Sequence, residues 1–255
     1  MTRWGVPIQL PHKFSDIELN RWLHLFDSPD CKVTQAADGS YYLTACRLEK
    51  LGSDDEVKES ANKLVTMMTA IAKIEMDMDF QSIGDDNDEN VVNSIQERVS
   101  DTSSNITTYP KPARAYMFAL VPTVEIRDEH GNIVTQPRQA RWYDRILDQC
   151  DGSIYNKPEF TALSYFAQKT EARTVRLTYE TIQDDEGDDN AIVHNGWVSQ
   201  HELKRFTCSV NRQDIDSPEL HPKVAADPKC TMNIGDARTF CAQKLLKPWL
   251  IKKTI

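Results

Sequence analysis

The groups best suited to chemistry gather toward the end of the chain, in SQHELKRFTCSVNRQDIDSPELH, residues 199–221. It reads first as a helix and then as a polar segment in which Asn211, Arg212 and His221 could converge. Other residues suggest metal chemistry. Cys208, Cys230 and Cys241 with one of His194, His201 or His221 would supply a zinc ligand set, although no close-spaced Cys pair anchors it. Asp86, Asp88, Asn90, Ser94 and Glu97 repeat the oxygen spacing of a calcium loop, but Val91 stands where the sharp turn needs glycine. Neither pattern is complete, so the expectation is no metal and no cofactor. Phosphate-cradling glycine loops and a nucleophile elbow are missing from the sequence.

The element that must position Asn211 and Arg212 opens with Ser199 and Glu202, a spacing that satisfies two helix-start amides reciprocally. Leu203, Phe206 and Val210 then form one apolar stripe, which leaves Lys204, Arg205 and Arg212 on the surface. This is a basic helix end in a chain of net charge -9. From Leu203 to Ile255 there are ten Lys or Arg against five Asp or Glu, so an RNA partner would meet this last part at Lys204, Arg205 and Arg212. The overall acidity argues against indiscriminate duplex binding.

Upstream, Ser15 with Glu18 and Ser53 with Glu56 repeat the capping signature. The first heads a short helix with Leu19, Leu23 and Phe26 as its stripe. The second heads a long one with Val57, Ala61, Leu64, Met68 and Ile71 on one side. Met67, Met68, Met76 and Met78 read as core filling. Between these helices, β-formers flank Ala37-Asp38-Gly39, a hairpin pattern. Residues 84–112 turn acidic and polar and read as a mobile insertion loop; strand alternation follows, turning near His130-Gly131-Asn132.

Beyond Pro137 the pattern is helical. Short helices are expected at Arg141 to Cys150, around Phe160, Leu163 and Ala167, around Ala172, Val175, Tyr179 and Ile182, and finally around Ala237, Phe240, Cys241 and Leu245 before Pro248. The acidic tract Asp184 to Asn190 reads as a hydrated linker. The fold class is therefore α+β: a small mixed part over 1–135, with a hairpin and crossover helix, then an irregular helical bundle over 136–255. Six scattered cysteines without a CxxC pair read as reduced thiols. MTRWGVPIQL holds only a brief apolar run, and no stretch approaches the roughly 20 apolar residues of a spanning helix, so the expectation is a soluble cytoplasmic protein without membrane association.

Phe206, Thr207, Ser209, Val210, Asn211, Glu219, Leu220, His221, Met232, Asp236, Ala237 and Trp249 carry a resemblance. Over roughly residues 155 to 252 the chain resembles uncharacterised bacterial proteins with a helical C-terminal half, and is similar in arrangement to the HEPN class. Many members of that class are dimeric ribonucleases of defence and toxin systems; others only bind or dimerise. The resemblance implies a recognition or assembly protein acting through the helical half, on a protein partner or as a homodimer, with RNA as a further partner. Its enzymatic form would be a metal-independent ribonuclease. There His221 would handle a ribose or leaving-group proton, Arg212 would stabilise charge on the scissile phosphate, and Asn211 would orient the histidine or RNA. The class places four to six residues between Arg and His. Here there are eight, with Pro218 and Pro222 around the histidine.

Overall fold

The computed structural model describes residues 4–8, 10, 14–28, 31–79, 96–97, 126–127, 133–134, 141–147, 153–213 and 232–254. Two compact units are present, one of residues 1–98 with 142–255 and one of 99–141. The fold is α+β, a small antiparallel sheet together with many helices.

In the larger unit the sheet holds β1 (Trp4–Ile8), β2 (Cys31–Gln35), β3 (Tyr41–Ala45) and the two-residue β4 (Gln96–Glu97) in the order β2-β3-β1-β4. The hairpin around Asp38-Gly39 is β2–β3, with Gln35 opposite Tyr41 and Cys31 opposite Ala45. Gly39 has φ +88, a left-handed conformation open to glycine without steric cost, and the Asp38 carboxylate accepts from Ser40 N–H at 2.9 Å. The outer edge of β2 is covered in part by the chain itself, since Val33 N–H donates to Phe26 O at 3.0 Å and Ser28 N–H to Cys31 O at 3.0 Å. The potential calcium ligand Glu97 instead belongs to β4, opposite Trp4, and the other four lie outside the described residues.

Helix α1 (Asp16–Leu25) has its Ser15–Glu18 capping box, but its buried side is Trp22 followed by Phe26, while Leu19 and Leu23 are only partly covered. Trp22 meets the Phe26 ring edge-on at 4.9 Å. Burial of the larger ring outweighs the aliphatic stripe read from the sequence. The short α2 (Cys46–Glu49) leads into α3 (Asp54–Met76), the 23-residue central helix. Its Ser53–Glu56 box is formed, and Val57, Ala61, Leu64, Met68 and Ile71 are all buried together with Met67 and Met76. These three methionines fill the core.

The helical half begins with α4 (Asp144–Leu147), α5 (Pro158–Ala167) and α6 (Ala172–Glu186). Pro158 occupies the first position of α5, where its missing N–H costs nothing. α5 packs on α3 and on α6, so one apolar cluster runs continuously from Val6 in the sheet to Leu250 near the end. Helices α7 (Asp189–His194), α8 (Gln200–Gln213) and α9 (Ile234–Phe240) complete the layer.

The acidic tract is not a hydrated linker. Asp184 to Glu186 finish α6, Gly187 at φ +107 turns the chain, and Asp188 caps α7 by accepting from Ala191 N–H at 2.7 Å. Asp185 accepts from Trp249 Nε1 at 2.9 Å, and Glu186 from Asn195 Nδ2 at 2.8 Å and Lys252 Nζ at 2.6 Å. Asp189 accepts from the Tyr179 hydroxyl and from Gln183 Nε2 at 2.6 Å. Asp185, Glu186 and Asp189 thus each have a donor from outside their own helix, which local composition cannot show.

The last helix also differs from expectation by running through Pro248. A prolyl ring clashes with the carbonyl four residues back and offers no amide. Here the turn before it, Cys241–Leu246, widens to a π-helix in which Lys247 N–H reaches Ala242 O, and α10 (Lys247–Thr254) continues beyond. The thiols differ as well. Cys241 is a free, buried thiol and Cys31 is buried, whereas Cys46 and Cys208 are each disulfide-bonded.

In the smaller unit β5 (Ile126–Arg127) pairs antiparallel with β6 (Ile133–Val134), Ile126 opposite Val134. The pair brackets the turn expected at His130-Gly131-Asn132. The acidic insertion at 84–112 lies outside the described residues apart from β4.

Among the described residues no helix is long and apolar enough to cross a membrane.

Candidate partner and nucleic-acid interface

The start of α8 is built as its sequence demands. Ser199 N–H and Oγ–H both donate to Glu202 Oε2, at 2.8 and 2.7 Å, and Glu202 N–H donates to Ser199 Oγ at 3.3 Å. The hydrogen bonds from Ser199, backbone first, hold the Glu202 carboxyl below its ordinary range, with Lys244 and His201 adding to the effect. Leu203, Phe206 and Val210 are all but fully buried. The Phe206 ring lies between two others, edge-on to Tyr179 at 5.5 Å and stacked on Phe240 at 5.2 Å. Midway along, Ser209 Oγ donates to Arg205 O at 2.8 Å and accepts from Met232 N–H at 3.2 Å, tying the chain before α9 to this helix.

With its inner side fixed, α8 turns Lys204, Arg205 and Asn211 to solvent. His201 is exposed in the first turn. Arg212 stands in the last turn, with only its backbone described, and His221 lies outside the described residues. The structure therefore brings Lys204, Arg205 and Asn211 onto one exposed helix, which can present cations and an amide to an anionic surface.

The zinc set drawn from the sequence does not stand. Cys208 is already bonded to sulfur and has no thiolate to offer; Cys241 is fully enclosed, and burial pushes its thiol up to about 12. His194, at the end of α7, and His201 are exposed helix-surface groups. Among the described residues no three His, Cys, Asp or Glu are grouped as metal ligands would be.

The polar cluster that sequence reasoning missed lies at the C-terminus of α3. A helix end leaves carbonyls without partners, and cationic donors suit it electrostatically. Gln243 Nε2 donates to Ile74 O at 2.7 Å and Arg21 Nη2 to Glu75 O at 2.7 Å. Arg238, only 6% exposed, reaches Met78 O at 3.2 Å and Asp77 Oδ1 at 3.1 Å. The Glu75 carboxylate accepts from Trp142 Nε1 and Lys247 Nζ, each at 2.8 Å. Only the left-handed residue Asp77, φ 50, marks this end locally, and the donors arrive from α1, from the turn at Trp142 and from the last helices.

A second buried cation does similar work. Arg47, 3% exposed, donates to Ile146 O at 2.9 Å and to Tyr155 Oη at 3.1 Å, closing the last turn of α4. Beside the C-terminal helix a shallow groove of about 530 Å³ is lined by Trp197, Gln243, Lys247, Pro248, Ile251 and Lys252. Its two lysines are engaged, Lys247 with Glu75 and Lys252 with Glu186.

No family model, no curated protein and no solved structure matches this chain.

Proposed function

We propose that the protein is a recognition or assembly protein acting through its helical half, with the outer face of α8 as its contact surface. The supporting observation is the division of that helix: Leu203, Phe206 and Val210 anchor it, while Lys204, Arg205 and Asn211 project from a chain of net charge -9. A rigidly held cationic strip on an acidic molecule favours an anionic face of a protein partner or of a second copy, because complementary charge both steers and orients association. The other buried polar groups described above serve as caps and ties between helices, consistent with a scaffold. The reading takes a prokaryotic defence system, as the HEPN resemblance implies, as its setting. The bonded state of Cys46 and Cys208 weighs against a reducing compartment.

The test uses the full chain and its Lys204→Glu/Arg205→Glu variant. Sedimentation measures self-association. Fluorescence anisotropy measures binding to single-stranded and structured RNA in EDTA, and gels follow RNA integrity. Salt-dependent association that weakens at least tenfold in the variant, with RNA left intact, supports the reading. RNA cleavage lost in His221→Ala would replace it with the HEPN-like ribonuclease acting through Arg212 and His221 with Asn211. Association unaffected by the charge reversal would remove α8 as the contact surface.

A further inference from the structure

We propose that the groove beside the C-terminal helix is a docking site for an acidic segment of a protein partner that inserts one large apolar side chain. The groove, of about 530 Å³, is lined by Trp197 from the turn between α7 and α8 and by Pro248 and Ile251 of α10, all three half-buried. Its size falls within the roughly 300–1,000 Å³ of recesses that hold a ligand or an inserted group. An aromatic ring beside aliphatic groups is the lining that a partner's apolar anchor fills and desolvates.

The walls are fixed from beneath. Gln243 Nε2 donates to Ile74 O at 2.7 Å, Lys247 Nζ holds the Glu75 carboxylate at 2.8 Å, and Lys252 Nζ reaches Glu186 at 2.6 Å and Asn195 Oδ1 at 3.5 Å. Lys252 also lies over the Trp197 ring, its Nζ 5.7 Å from the centroid, and steadies the indole by cation–π attraction. Walls tied in this way to α3, to α6 and to the end of α7 keep their shape without an occupant, so binding there costs little conformational freedom.

Charge selects the occupant. Among the described residues lining the groove none is a carboxylate. The carboxylate paired with its outer lysine lies deeper than the lysine does: Lys252 is 49% exposed and Glu186 6%, so a partner meets the ammonium. Lys244, the residue after Gln243, is exposed, and its charge favours the ionised Glu202 in the first turn of α8, which carries the positive rim over to that helix. A segment with Asp or Glu on either side of a large apolar residue satisfies both the rim and the floor. Among the described residues one aromatic ring lines the groove, where a single nucleic-acid strand calls for a succession of them. The inference deepens the proposed function and rests on it for the kind of partner.

Full-length protein is panned against a random peptide library displayed on phage, and an enriched sequence is made as a fluorescein-labelled peptide for anisotropy. The expected result is enrichment of sequences with one large apolar residue among several Asp or Glu. Their affinity should fall about tenfold in Ile251→Asp, and also with salt between about 0.05 M and about 0.3 M. Circular dichroism checks that the variant folds. On the unaltered chain, the same peptide carrying a benzophenone in place of its apolar side chain should cross-link to Trp197, Pro248 or Ile251. No enrichment, enrichment of basic or uncharged sequences, or cross-links elsewhere on the chain overturn the inference. Self-association of the chain alone, or binding of oligouridylate, that Ile251→Asp abolishes would also overturn it, by giving the groove to a second copy or to RNA. Peptide binding lost in Lys204→Glu/Arg205→Glu but retained in Ile251→Asp keeps the proposed function and removes the groove; the opposite pattern keeps the groove and removes α8.

Discussion

Arg238→Met isolates the cap at the end of α3. Methionine retains most of the apolar stem, so packing in the 6%-exposed site changes little while the donors to Met78 O, Asp77 O and Asp77 Oδ1 are lost. Hydrogen bonds from a charged donor contribute about 1.5–3 kcal/mol when their acceptors are left without partners. The Asp77 side chain is 54% exposed and is rehydrated, so its share is discounted to about 0–1 kcal/mol. The expected loss is about 2–4 kcal/mol, read from urea unfolding followed by tryptophan fluorescence with an unchanged m-value. Asp77→Asn, which tolerates the left-handed backbone, completes a double-mutant cycle. Coupling below about 1 kcal/mol is expected if carbonyl capping dominates. A loss under about 0.5 kcal/mol for Arg238→Met would refute the cap, and coupling above about 2 kcal/mol would show that the ion pair carries the effect instead.

Two further outcomes follow from the same contacts. Phe206→Ala removes the ring held between Tyr179 and Phe240 and is expected to cost about 3–5 kcal/mol in chemical unfolding; a loss under about 1 kcal/mol would mean that α8 is not anchored there. Glu202 and Asp188 are both held below their ordinary values of 4.5 and 3.8 by helix-start hydrogen bonds, so their contribution is present above those values and is lost as the pH falls through the lower native ones. Glu202→Gln should therefore lose less stability than the parent between about pH 5 and about pH 3. Parallel urea midpoints for the two proteins across that range would contradict the assignment.

Much of the local structure was legible in the residues. The Ser–x–x–Glu boxes at Ser15, Ser53 and Ser199 are all formed, because a cap is satisfied within four residues of chain. The Asp38-Gly39 hairpin and the α3 stripe follow for the same reason: turn chemistry and 3.6-residue periodicity are written locally. Lys204 and Arg205 are exposed on α8, opposite its apolar stripe, while the side chain of Arg212, expected beside them, lies outside what the structure describes. Asp184 to Asn190 misled, since a run of carboxylates looks solvated until Trp249, Lys252 and Tyr179 arrive as donors. Pro248 misled similarly, because the π-helix that lets the chain pass it depends on the turn before.

By itself, then, the amino-acid order determined where helices and the hairpin begin and which side of each is apolar. Tertiary structure decided which buried cation meets which helix end: Arg238 at Asp77, and Arg47 at Ile146. It also decided that Cys46 and Cys208 are bonded while Cys241 is not. The physical reason is one of range. Capping and periodicity act over a few residues, whereas pairing a buried charge or a sulfur requires a partner that only the folded chain brings within bonding distance.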